Sequence, residues 1–136
     1  MQYTCNICGL RNECHVFELG RETPDCRGCG SNVRMRAIIG LLSYELFGAR
    51  VPLECFPEDR SIRGVGLSDW DAYAERLAER LSYTNTYYHQ EPLLDITRVP
   101  EEKFGSCDFL ISTDVFEHVL PPVGEAFVGA RQLLKD

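Results

Sequence analysis

The sequence predicts an α/β fold: a small cysteine-rich module in front, a helix, and then a mostly parallel sheet. Three observations predict it. The turn form Cys-x-x-Cys-Gly occurs twice, at residues 5–9 and 26–30. From residue 61 onward, β-branched and aromatic runs alternate with runs of helical period, the order that builds parallel sheets. Asp108-Phe109-Leu110-Ile111-Ser112-Thr113 is a short apolar run ending in small polar residues, as expected of a strand buried on both faces.

The front module comes first. In Cys5-Asn6-Ile7-Cys8-Gly9 and Cys26-Arg27-Gly28-Cys29-Gly30, seventeen residues lie between Cys8 and Cys26, within the spacing of a four-cysteine zinc site. Two residues between thiolates let one tight turn aim both sulfurs at the same ion. The glycine after the second cysteine can take a positive φ and turn backbone N–H groups toward the sulfurs. Cys5, Cys8, Cys26 and Cys29 are therefore the expected ligands of a closed, structural Zn2+ ribbon or knuckle spanning residues 1–32. The ion would supply folding energy that so short a segment cannot gather from apolar burial. A redox Cys-x-x-Cys would come once, on a βαβ pattern. Cys14 or His15 could replace a ligand, although His15-Val16-Phe17 reads as a hairpin strand between the knuckles.

Residues 33–48 form the expected connecting helix, with Ser31 as N-cap and Gly48 as stop. Its apolar face would be Val33, Ala37, Ile38, Leu41, Leu42, Leu46 and Phe47. Arg34 and Arg36 gain nothing from the helix dipole at that end. They are either solvated or turned to a carboxylate or phosphate of a substrate or partner. Pro52 and Pro57 bracket a short edge element or loop.

Residues 49–136 form the α/β portion. Ser61 to Asp69 reads as a strand entering a glycine-containing turn. The next helix carries Tyr73, Ala74, Leu77, Ala78 and Leu81 on one face, with Ser68 or Asp69 as cap. Tyr83 to His89 is a strand, Leu93 to Thr97 a shorter apolar piece with one carboxylate, and Asp108 to Thr113 a further strand. A last helix covers about Val123 to Leu134. Polar residues bunch just past the Asp108 strand, at Asp114 and Glu117-His118, where open α/β sheets hold ligands.

Composition narrows the partners. With 44% hydrophobic residues a packed core is expected, and the net charge is −7. Residues 1–50 carry six arginines against five acids, and residues 51–136 carry eight Lys and Arg against sixteen Asp and Glu. An acidic second half argues against nucleic acid, which needs clustered cations. No long apolar run suggests a membrane span and no basic-then-apolar leader is seen, so a cytoplasmic chain is expected. Seven cysteines without a leader fit metal binding in a reducing compartment better than disulfides.

The segment CDFLISTDVFEHV, with Phe127, Ala130 and Arg131-Gln132-Leu133-Leu134-Lys135, resembles the fourth strand and following helix of class I S-adenosylmethionine-dependent methyltransferases of the type 11 kind. The upstream order of strand, turn, helix, tyrosine-rich strand and Asp-Ile-Thr is similar to theirs too. A subgroup of that family has a CxxCG…CxxCG module and a helix with paired arginines in front. The resemblance implies a partial Rossmann-like domain with S-adenosyl-L-methionine as cofactor. By position, it implies Gly64, Gly66 and Ser68 beside the methionine part and Glu91 on the ribose hydroxyls. It further implies Asp95-Ile96 at the adenine and Thr113 with Asp114 facing the sulfonium and acceptor. Glu117 and His118 would orient substrate, and a histidine there could serve as general base. The implied partner is a small-molecule or protein methyl acceptor.

Two departures from the family pattern stand out. The first turn has fewer glycines, and the sequence ends at Asp136, where the family continues into a Pro-Gly-Gly turn and more strands. The chain thus reads as truncated, with one sheet edge left for an oligomer partner to cover. The competing expectations are a zinc-ribbon interaction module with a degenerate, non-catalytic α/β portion, and an RNA methyltransferase, which the acidic second half disfavours.

Overall fold

A computed structural model describes residues 1–136, which fall into two compact units, Met1–Pro57 and Glu58–Asp136. No helix is long and apolar enough to cross a membrane.

In the first unit, β1 (Gln2–Thr4) and β2 (Arg11–Glu13) pair antiparallel around the first knuckle, with Tyr3 opposite Asn12. The hairpin therefore flanks that knuckle instead of running through His15-Val16-Phe17. Those residues form a 3-10 turn, Val16–Glu18, whose Glu18 carboxylate accepts the His15 N–H at 3.0 Å. Phe17 is fully exposed there, so the stretch has no apolar partner that would favour an extended strand.

Helix α1 (Val33–Phe47) follows the second knuckle. Its N-cap is Asn32, not Ser31: the Asn32 side chain accepts the Met35 N–H at 2.9 Å. Ser31 is buried instead beside Cys5. The buried face is Ile39, Leu42 and Ser43, whereas Val33 and Leu41 lie exposed, so the helix is rotated from the expected orientation. It is apolar on nearly every side, and hydrophobic period alone cannot choose its inner face. Arg36 is not solvated. It grips Asp25 through two hydrogen bonds of 2.6 and 2.8 Å and lies over the Tyr3 ring at 4.5 Å. Arg34 meets Glu22 at 2.9 Å. The carboxylates these arginines seek belong to the chain itself. Leu53 and Phe56, in and after the 3-10 turn Leu53–Cys55, complete the buried apolar set with Ile7, Ile39 and Leu42.

The second unit is built on β3 (Asp59–Leu67), the central strand of a three-stranded parallel sheet ordered β4-β3-β5. Helix α2 (Asp71–Arg80) connects β3 to β4 (Leu81–Thr86) and buries Tyr73, Ala74 and Leu77. Trp70 takes the N-cap position with no side-chain cap bond, so neither Ser68 nor Asp69 caps this helix. At its other end the Arg60 guanidinium reaches the carbonyls of Ala78, Glu79 and Leu81, satisfying groups a helix terminus leaves unpaired. Past β4 the chain folds back through a single bridge, Tyr87 to Leu93, and Leu93 to Thr97 forms no strand of its own.

β5 (Phe109–Ser112) lies on the other side of β3, pairing Gly64 with Phe109 and Leu67 with Ser112. Asp108 ties the start of this pairing: its carboxylate accepts the Arg63 N–H at 2.7 Å and the Lys135 ammonium at 2.6 Å. Lys135 foremost holds that carboxyl below its ordinary range. Helix α3 (Gly124–Leu133) closes a core of Leu67, Leu94, Ile96, Cys107, Ala126 and Leu133.

Candidate metal centre and strand-end cluster

The Sγ atoms of Cys5, Cys8, Cys26 and Cys29 all lie within 4.8 Å of one another. Cys5 and Cys29 are 3.8 Å apart, and Cys8 and Cys26 are 3.6 Å apart. Four Zn–S bonds of about 2.3 Å in a tetrahedron give sulfur–sulfur edges of about 3.8 Å, so the spacing fits a Zn2+ ion. Both knuckles close alike: Gly9 N–H reaches the Cys5 carbonyl at 2.9 Å, and Gly30 N–H the Cys26 carbonyl at 2.8 Å. Each of these glycines has φ of +71°, where a side chain would be strained. Cys14 and His15 stand outside the cluster.

The sulfurs suit a cation electrostatically. Burial pushes the Cys8 thiol up to about 12 and raises Cys29. Burial acts the same way on Cys26, but the N–H groups of Cys29 and Gly28 outweigh it and bring that thiol down to about 6. Burial thus disfavours the ionised forms of Cys8 and Cys29, and a divalent metal offsets this by replacing their protons.

Of the remaining expected site residues, Ser68, Thr113 and Asp114 follow the carboxyl ends of β3 and β5, which share an edge because these strands run parallel. Ser68 and Asp114 leave β3 and β5 with φ of 56° and 53°, the only non-glycine residues in the left-handed region. Thr113, partly buried, precedes Asp114, which is exposed. Glu91, exposed, occupies the short loop after β4 and accepts the Leu93 N–H at 3.0 Å. Asp95 folds onto its own loop, accepting the Thr97 N–H at 2.9 Å and hydroxyl at 2.7 Å. Glu117 and His118 face solvent on the 3-10 turn Phe116–His118, which Val115, Phe116 and Val119 anchor to the core.

Three further expected residues, Gly64, Gly66 and Ile96, are enclosed by the chain's own side chains or core. Gly64 and Gly66 lie within β3 and not in the turn after it. A Cβ on Gly64 would sit 2.1 Å from the Phe109 ring, and one on Gly66 2.0 Å from the Tyr83 hydroxyl. These glycines make room for cross-strand aromatics, Tyr83 and Phe109, stacked at 5.9 Å. Ile96 is a core side chain, 5% exposed.

One buried group had no sequence signal. Asp69, 4% exposed, accepts the Tyr83 hydroxyl, while the Asn85 side chain holds its backbone, accepting the Asp69 N–H and donating to its carbonyl, each at 2.9 Å. Burial raises the Asp69 carboxyl to about 6 against the pull of the tyrosine hydroxyl. The folded pKa thus exceeds the unfolded one, so the contribution is complete below about pH 4 and lost as pH rises through 6. The loss is about 3 kcal/mol. Denaturant unfolding followed by Trp70 fluorescence should show Asp69→Asn flattening the pH dependence between about 4 and 6. Identical slopes for variant and wild type would refute the assignment.

No protein-family model, curated protein or solved structure gives a match to this chain.

Proposed function

We propose that the chain is an S-adenosylmethionine-dependent methyltransferase carrying a structural zinc module. One observation supports the enzymatic part most directly. From the central β3 the chain passes to β4 on one side and then to β5 on the other, so the connections reverse between β3 and β5. At that reversal both strands exit through left-handed non-glycine residues, Ser68 and Asp114. Ligands of open α/β sheets bind at such a point, and backbone strain of about 1–3 kcal/mol per residue gathers where ligands are held.

S-adenosylmethionine, when bound, supplies an activated methyl on a positively charged sulfur. The chain's part is positioning and charge. Thr113 and Asp114 fit the sulfonium and acceptor end, and Ser68 the methionine end in place of the two glycines. Glu91 and Asp95 are the carboxylates for ribose and adenine. Glu117 orients the acceptor, and exposed His118 can exchange an acceptor proton with solvent. A small-molecule or protein acceptor accords with the net charge of −7 better than nucleic acid does.

Calorimetric titration with S-adenosylhomocysteine is expected to give saturable heat, weakened at least about tenfold by Thr113→Val or Asp95→Asn (each about 1.4 kcal/mol or more). Absence of heat from zinc-loaded protein refutes the enzymatic reading. A second reading, a zinc-ribbon interaction module with a non-catalytic α/β unit, draws on the aromatic cover over Gly64 and Gly66. It predicts a full zinc complement with no heat.

A further inference from the structure

Four thiolates around one divalent ion carry a net charge of −2, and Cys5 and Cys26 are buried at 0% and 4% exposure. Such charge must be met by donors or cations, or the site would shed the metal or take up protons. Two buried polar side chains outside the cysteine turns stand within reach. Ser31, 0% exposed, has Oγ 3.4 Å from Cys5 Sγ. Asn12, 5% exposed, has Nδ2 3.4 Å from Cys26 Sγ.

The direction of each hydrogen bond follows from its neighbours. Arg36 stands 3.3 Å from the Ser31 hydroxyl oxygen and can only donate. The hydroxyl's single hydrogen is thus turned to the sulfurs, with Cys5 at 3.4 Å and Cys29 also in reach. The Asn12 carbonyl oxygen accepts the Arg27 N–H at 2.9 Å, which fixes the amide's orientation. Its two amide hydrogens then go to the Leu10 carbonyl, at 2.9 Å, and to Cys26. The cluster thus receives two buried side-chain donors, one from Ser31 and one from Asn12.

We infer that Ser31 and Asn12 are positioning residues whose hydrogen bonds brace the ligand sulfurs and so set how firmly the centre retains its metal. Arg36, on α1, orients Ser31 while braced by Asp25 and Tyr3, which links helix docking to metal retention. The inference rests on the zinc reading of the four cysteines.

The test is the rate of Zn2+ transfer from the full chain to a chromogenic chelator. Ser31→Ala and Asn12→Ala should each release zinc about 10- to 100-fold faster, and Arg36→Lys should fall between them and wild type. In Co2+-loaded protein, both alanine variants should shift the sulfur-to-metal charge-transfer band to longer wavelength, a change that loss of packing alone does not cause. The wild-type chain loaded with 113Cd gives a measurement without mutation: scalar coupling from the metal to the Ser31 hydroxyl and Asn12 amide protons. Release rates within twofold of wild type with an unshifted band, or absent couplings, overturn the inference and leave the zinc reading standing. A wild-type chain that takes up no zinc, cobalt or cadmium overturns both.

Discussion

Removing the metal, by chelation or by Cys26→Ser, is expected to unfold the knuckles and hairpin of the first unit. The purified chain should carry one zinc per molecule, and its loss should remove roughly 10 kcal/mol of folding free energy from that unit. The apolar side chains buried there are few: Ile7, Ile39, Leu42, Leu53 and Phe56. The hairpin has only three residues per strand, too short to stand alone. Without a cation, crowded sulfurs with opposed protonation demands lie where the module needs them together. Amide dispersion of residues 1–32 should collapse on chelation, and circular dichroism should show partial loss of α1. Cys14→Ser, outside the tetrad, should change neither metal content nor melting. Metal-free protein with intact dispersion would sink this expectation.

Gly129→Ala should be the most damaging single-methyl change in the second unit. Helix α3 crosses the Asp95–Thr97 loop so closely that an added Cβ would lie 1.8 Å from the Ile96 carbonyl oxygen and 3.0 Å from its carbon. Backbone cannot swing aside as a side-chain tip can. The loop is also pinned, by the Asp95 carboxylate on Thr97 and by the Arg98 N–H on the Asp95 carbonyl at 3.0 Å. The helix must lift, opening the core around Leu94, Ile96, Ala126 and Leu133. A cost of about 3 kcal/mol is expected, lowering the midpoint of a unit this size by roughly 12 °C or more. Gly124→Ala, with nothing within 4 Å of its added carbon, is the control and should shift stability by less than about 1 kcal/mol. Equal melting of the two variants would refute the close approach.

The features legible in the sequence were those set by local chemistry. The repeated Cys-x-x-Cys-Gly turn announces a tetrad because spacing alone aims the sulfurs. The existence of β5 and most of the inner face of α2, at Tyr73, Ala74 and Leu77, follow from period and length. Yet β5 lies at the sheet edge with only Phe109 and Ile111 buried, and Leu81 begins β4. What escaped was set by partners distant along the chain. The inner face of α1 depends on what covers it, since apolar residues lie almost all round. Gly64 and Gly66 look like turn residues until Phe109 and Tyr83 are paired beside them. Asp25 with Arg36, and Asp69 with Tyr83, are unions of residues eleven and fourteen positions apart, which carry no periodic trace. Ser31 reads as an ordinary cap and Asn12 carries no signal in the sequence, and only the folded knuckles show which atoms they reach.

The way the chain leaves α3 has a practical consequence for handling this protein. Leu134 bridges Cys107 in parallel, with Lys135 N–H on the Cys107 carbonyl at 2.9 Å, so the last residues already run alongside the start of β5. By alternation, the outward amides of Phe109 and Ile111 come next on that rail. An affinity tag or fusion joined after Asp136 is therefore not a neutral handle. A β-prone linker would be steered into a fourth strand and give an artificially stiff protein, whereas one opening with proline and charged residues would peel away into solvent.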